Sequence, residues 1–188
     1  MRPDTVKCSH NDCIQVNESN ESDLVTLSVT KEVDEGGLVV RCGEECGHVR
    51  RTDDCVSSLR VSPSHVLDIQ CELVQLTHSC RPSCAVVWRE WFADGAGPAG
   101  LAGGREGQLH LVALRPLRPG DKLSINYTAT EPNMAEPFDC ACDDCTQAGR
   151  SRRVRGGAFA TLEEMQLLPS WAVAPHVVEA RSASERRN

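Results

Sequence analysis

Thr77-His78-Ser79-Cys80-Arg81-Pro82-Ser83 decides how this chain is read, because two further motifs stand downstream of it in a set order. The stretch packs an imidazole, a thiol and a proline into seven residues, which suits a buried turn with a satisfied histidine or a ligand-bearing loop. Roughly forty residues on comes a strand-like run, Gly120-Asp121-Lys122-Leu123-Ser124-Ile125-Asn126-Tyr127, which closes on the chain's only tyrosine. Next is Phe138-Asp139-Cys140-Ala141-Cys142-Asp143-Asp144-Cys145, with three thiols in six residues. Short two-residue spacings of this kind are common at zinc sites.

The totals set bounds around these motifs. A chain of 188 residues suggests one domain with appendages. Hydrophobic residues are 40% and aromatics only 4%, so Val, Leu and Ala must fill the core. The net charge of -7 argues against a general nucleic-acid binder and suits a cationic protein segment better. No apolar run is long enough to span a bilayer, and Met1–Cys8 has no secretory core, so an intracellular protein is expected, nuclear or cytoplasmic alike. In that setting, 11 cysteines point to metal ligation or buried thiols more than to disulfides.

Along the chain, residues 1–23 are polar and read as a loose arm. Strands are expected over 24–33, 38–42, 57–62, 66–69, 84–88 and 122–128. Leu109–Leu114 alternates little and should be buried on both faces. Residues 43–54 read as charged and irregular, 71–76 as a short helical turn, and 94–107 as a Gly/Ala-rich loop. Thr161-Leu162-Glu163-Glu164 fits a capping box opening a helix to about Leu168, and a second helix should follow Pro175. The expected fold is thus mainly β with short helices and a helical C-terminal tail.

The three motifs in this order resemble the core of a SET domain with its post-SET cysteines, whose motifs run Asn-His-Ser-Cys-x-Pro-Asn, Gly-Glu-Glu-Leu-x-x-x-Tyr and Cys-x-Cys-x4-Cys. Thr130–Cys140 resembles the Thr-Glu-Trp-x-Met-Ala-x-Pro-Phe linker of a branch of small SET proteins, and Val154-Arg155-Gly156 with the helix after Thr161 fits the segment following it. The resemblance spans about Leu24 to His176 and is specific from Thr77 onward. It implies a SET-type β architecture of several small sheets around a knot-like core, with a post-SET zinc loop. The implied division is an arm over 1–23, a SET-like domain over 24–129, a post-SET segment over 130–150 and a tail over 151–188.

The resemblance also implies chemistry. The family transfers a methyl group from S-adenosyl-L-methionine to a lysine amine of a protein. Thr77 and His78 would hold the cofactor, Phe138 would pack over it, and Tyr127 would orient the transfer. Cys80, Cys140, Cys142 and Cys145 would bind one zinc ion as a closed structural site. The partner would be a protein presenting a lysine in a basic segment, with no direct nucleic acid and no membrane. A phenol suits this transfer because positioning does most of the work and its oxygen can accept weak C–H bonds.

The departures are specific. Thr77 and Ser83 stand where the family has Asn, Asp121 and Lys122 where it has Glu, and the third cysteine comes two residues early. The family's Gly-x-Gly, which lets the backbone approach the cofactor, aligns with Leu24–Val29 and is absent. Two other function classes therefore stay open: a SET-like protein that has lost catalysis and serves as an interaction module, and a plain zinc-stabilised binding domain. Cys84 is a substitute ligand to weigh. Cys8, Cys13, Cys42 and Cys46, near His10 and His48, offer a second metal set, against which stand packed or exposed thiols. Cys55 and Cys71 read as small core residues. Trp88, Trp91 and Phe92 read as core, and Arg150–Arg155 as a solvated basic face.

Overall fold

Valine and leucine concentrate where the chain must be covered on both sides, and those segments form the central sheet. The computed structural model describes residues 13–18, 25–43, 46–51, 58–88 and 109–186. All five residues of β8 (Cys84–Trp88) and of β9 (Leu109–Ala113) are buried. With β3 (Leu38–Cys42) they make an antiparallel sheet in the order β3-β9-β8. A second antiparallel sheet, β4-β6-β5, is built from β4 (Gly47–Arg51), β5 (Ser58–Ser62) and β6 (His65–Ile69). The fully buried Leu27, Leu111, Leu117 and Leu123 lie in the main core. Burial of such a side chain stabilises by about 1.5–3 kcal/mol each.

Three two-stranded ribbons complete the β structure. β1 (Ile14–Glu18) pairs antiparallel with β2 (Val25–Val29). Ile14–Glu18 falls within the stretch expected to be a loose arm. It is a strand because β2 offers a free edge, and Asn17 reaches across to the Ser28 hydroxyl at 2.8 Å. β4 likewise lies in the segment expected to be irregular, where pairing with β6 overrides a charged sequence of weak strand propensity. β7 (Thr77–His78) runs parallel to β10 (Ser124–Ile125). Of the expected strand over 122–128, Ser124–Ile125 pair with β7 and Lys122 makes a single antiparallel bridge to Ser28 of β2. Asn126 then caps a 3-10 turn over Tyr127–Ala129 by accepting from the Thr128 N–H at 3.1 Å.

After Thr130 the chain folds back on itself. β11 (Phe138–Asp139) pairs antiparallel with β12 (Arg153–Val154), and α1 (Asp143–Gln147) lies between them in sequence. Gly156 holds φ +115° close to Pro132, where a β-carbon would collide with the Pro132 carbonyl. The capping box forms as expected. The Thr161 hydroxyl accepts from the Glu164 N–H, and the Glu164 carboxylate accepts from the Thr161 N–H, opening α2 (Leu162–Gln166). α3 (Pro175–Glu185) docks through Val177 and His176, whose Nε2–H donates to the Thr130 carbonyl at 2.8 Å. The molecule is mainly β with short helices. Arm residues 1–12 and 19–23, the loop over 94–107, and Trp91, Phe92, Cys8 and Cys55 lie outside the described residues.

Candidate active site and cysteine cluster

The parallel β7–β10 pairing brings Thr77-His78 beside the end of the run that carries Tyr127. Ser79 N–H donates to the Ile125 carbonyl at 2.9 Å. Ser83 then fastens the segment: its hydroxyl accepts from the Ser124 N–H at 2.9 Å and donates to the Ser124 carbonyl at 3.4 Å. Its own N–H donates to the Ser124 hydroxyl at 3.2 Å. A serine here supplies both donor and acceptor, so the missing amide is compensated locally.

Three rings meet at this junction. His78 and Tyr127 lie 5.3 Å apart between centroids, His78 and Phe138 5.5 Å, and Tyr127 and Phe138 6.0 Å, all edge to face. His78 is half-buried, and its partial burial, reinforced by the Arg152 charge, holds its imidazole down at about 4, so it is neutral. Its Nδ1 accepts from the Tyr127 N–H at 3.3 Å. The proton of the neutral ring therefore sits on Nε2, 3.6 Å from the Cys80 sulfur. His78 thus links the tyrosine to the cysteine cluster. Its ring nitrogens are engaged inside the protein, which leaves its face and backbone to a ligand.

Tyr127 is raised above the ordinary phenol value by burial and stays protonated. Its Oη donates to the Leu76 carbonyl at 2.6 Å. With the proton so engaged, the oxygen keeps its lone pairs as acceptors.

Tyr127 borders two cavities. The first, of about 740 Å³, is lined by Thr26, His78, Arg115, Lys122, Tyr127 and Phe138 among others, and is within the size range of small-molecule sites. Acidic groups from Asp139, Asp143 and Asp144 also face it. Thr77 also lines it. Thr26 comes from β2, the segment aligned with the absent glycines, and the cavity is open with that side chain in place. The second cavity, of about 120 Å³, is lined by Leu73, Val74, Leu76, Val86, Ile125 and Tyr127, with Glu131 at its side. Glu131 is held by Arg60, whose N–H donates at 2.7 Å and whose Nε donates at 3.4 Å. Sequence reading missed this second cavity. Its lining comes from several separate segments, and no spacing marks it.

Cys80, Cys140, Cys142 and Cys145 converge with all four sulfurs within 4.8 Å of one another. Cys80 lies 3.6 Å from both Cys140 and Cys145. Four thiolates at about 2.3 Å from a zinc ion stand about 3.8 Å apart, so the set fits that ion. Burial and the Cys145 thiol push Cys80 up, while the Arg152 guanidinium opposes them. Burial likewise raises Cys140 to about 11. Burial also acts to raise Cys142, but hydrogen bonds to the backbone of Cys80 and Cys145 outweigh it and bring this thiol to about 7. Cys84 is no part of the cluster: it is buried at the start of β8, and burial raises it to about 12.

The basic run is more than a solvated face. Arg152 donates to the Cys80 sulfur at 3.0 Å and its Nε pairs with Glu164 of α2 at 3.0 Å. Arg153 pairs with Asp139 at 3.3 Å, and Arg155 lies 4.5 Å over the Phe159 ring. A planar guanidinium can serve a sulfur and a carboxylate at once, which a charge count along the sequence does not reveal. Trp88 is buried, as expected of a core residue.

Residues 43–128 match the model of the SET domain family. A protein of Aspergillus flavus named "Methyltransferase flvH" is 27% identical over 86 residues, which is 46% of this chain and 39% of that protein. The chain thus spans well under half the length of this curated relative. A crystal structure of KRYPTONITE in complex with mCHH DNA, H3(1-15) peptide and SAH is similar at 17% identity and a TM-score of 0.47, covering 69% of this chain and 27% of that one. The SET domain match falls on the segment that holds β7, β10 and Tyr127, with the four-cysteine cluster beside it.

Proposed function

We propose that this chain is a SET-type methyltransferase that uses S-adenosyl-L-methionine to methylate a lysine amine of a protein. The observation that carries the reading is that one tyrosine borders both a large polar cavity and a small apolar one. Methyl transfer needs two reactants brought in line from opposite sides, and a shared wall is where they would meet.

The large cavity fits the cofactor by chemistry as well as size. Phe138 and the face of His78 suit a flat base, Arg115 and Lys122 suit a carboxylate, and Asp139, Asp143 and Asp144 suit an ammonium or a sulfonium. Thr77 adds a hydroxyl. Thr26 fills part of the space that glycines would leave, and offers a hydroxyl in return. When bound, the cofactor supplies a methyl group on a positively charged sulfur.

The protein's own residues supply the rest. The apolar cavity takes the methylene stem of a lysine, and its low polarity favours the neutral, nucleophilic amine. Tyr127 directs its proton to Leu76 and its lone pairs to the amine N–H and to the polarised methyl. The amine proton leaves to solvent. Zinc on Cys80, Cys140, Cys142 and Cys145 would pin the Phe138 segment against the cavity. Relative to this site, the segment 24–129 supplies most of the cavity walls, 130–150 the remaining wall and the cysteine loop, and 151–188 the arginine and helical braces.

The same site supports a second reading, an interaction module without catalysis, because β2 carries side chains in place of glycines. Methyl transfer onto a pool of lysine-rich peptides, read by mass increase, separates the two. The enzyme reading predicts that Tyr127→Phe lowers kcat by about 10–100-fold and leaves cofactor affinity within about twofold. A variant that loses affinity and keeps kcat contradicts the role given to Tyr127. No transfer by the wild type, with the cofactor bound, favours the interaction module.

A further inference from the structure

A second group of cysteines lies away from the site. Cys42 ends β3, Cys46 precedes β4, and Cys71 opens the 3-10 turn Glu72–Gln75. Their sulfurs lie within 4.8 Å of one another. Cys42 and Cys71 are 3.9 Å apart, close to the roughly 3.8 Å edge of a zinc–thiolate tetrahedron. All three are buried, at 0–1% exposure, inside the main core. The second set expected from the sequence paired Cys42 and Cys46 with Cys8 and Cys13. Cys13 is only half-buried and stands apart, and Cys71 takes part in its place.

We propose that Cys42, Cys46 and Cys71 form a second zinc–thiolate site in the reduced chain. Three sulfurs brought by three separate elements converge on one point in a core made mostly of Leu and Val, an arrangement that packing alone does not require. Soft sulfur donors select zinc over magnesium or calcium. No cysteine is shared with the first cluster. The three sulfurs fill three corners, and the fourth is taken by a ligand outside this set.

Cys46 is disulfide-bonded in this structure, which makes the site conditional on redox state. A dithiol reductant breaks that S–S bond with two electrons and two protons, and is itself oxidised to a disulfide. Zinc then displaces the thiol protons to solvent. The loaded site would tie β3 and the entrance of β4 to the turn that leads into Leu76, the residue that accepts the Tyr127 hydroxyl.

Cobalt titration of the dithiol-reduced protein tests this, with zinc content measured in parallel. The wild type should take two equivalents and show thiolate-to-cobalt absorption in both steps. Cys142→Ser with Cys145→Ser should remove one step and leave the other, and Cys71→Ser should do the reverse. Before reduction, the wild type should take one equivalent fewer. A reduced Cys142→Ser/Cys145→Ser protein that takes no metal overturns the proposal, as does a Cys71→Ser protein that takes as much as the wild type. Where Cys71→Ser does not fold, the reduced wild type decides. Saturation at a single equivalent, lost with Cys142 and Cys145, sinks the second site. A single equivalent that survives their loss supports it, and counts instead against zinc on the first cluster.

Discussion

The two sides of Tyr127 are built differently. The side of the 740 Å³ cavity is polar, is lined by charged groups of both signs, and is closed by a loop carrying cysteines. The side of the 120 Å³ cavity is apolar, and its one acidic neighbour, Glu131, is neutralised by Arg60. A polar site recognises a charged molecule with several polar groups by individual contacts. An apolar one accepts a hydrocarbon stem and strips water from whatever lies at its tip. Under the proposed function the contrast would give the site a direction, with cofactor on one side and amine on the other. Perturbing one side should leave the other intact.

The largest separation should come from the cysteine loop. Cys145→Ser removes a buried thiol of the four-cysteine cluster, and should abolish metal uptake by the loop and weaken binding in the polar cavity by at least about 100-fold, by calorimetric titration. The sheet β3-β9-β8 should survive, read as retained β-type circular dichroism. Loss of the whole fold would mean that the loop is not a separable wall.

Filling the apolar side should do the opposite. Val74 lines it and is half-buried, so Val74→Phe can place its ring in the cavity without forcing the packed core open. Peptide kcat/KM should fall by about 10–100-fold with cofactor affinity within about twofold. Equal losses on both sides would erase the distinction between the cavities.

Smaller effects test the frame that both sides share. Ser83→Ala deletes the reciprocal bonds to Ser124 and leaves a half-buried N–H unmatched, a cost of about 1–2 kcal/mol by denaturant unfolding. A change near zero would show that β7 and β10 are held by other contacts. His176 gives a pH signature. Burial holds it below its ordinary value of 6.5; the Thr130 hydrogen bond opposes that, and Arg60 reinforces it. The unfolded chain therefore binds a proton that the folded chain refuses. Its contribution to stability is complete above 6.5 and is lost as pH falls from there through the lower folded value. His176→Gln should flatten the fall of Tm over that window, and an unchanged slope would remove this assignment.

How much of this the sequence disclosed depends on how local each signal is. The capping box at Thr161, the helix after Pro175 and the two-sided burial of Leu109–Ala113 are written in consecutive residues, and each forms as expected. The four-cysteine cluster was legible because three of its members sit within six residues. Cys71 was not, because its partners are 29 and 25 positions away, so that only folded proximity reveals it. The strand Ile14–Glu18 hides in a polar stretch because its stability comes from its partner strand. Ser83 reads as a lost amide and acts as a replacement for one, since a hydroxyl can both give and accept.

The central claim is that the polar cavity beside Tyr127 holds S-adenosyl-L-methionine in spite of the side chains that β2 brings where glycines are expected. Calorimetric titration of the cofactor into folded, zinc-loaded protein tests it most directly. The account predicts saturable binding at one molecule per chain, weakened by Phe138→Ala and unaffected by Val74→Phe. Absence of heat and of competition by the demethylated product, with the fold intact, would contradict it.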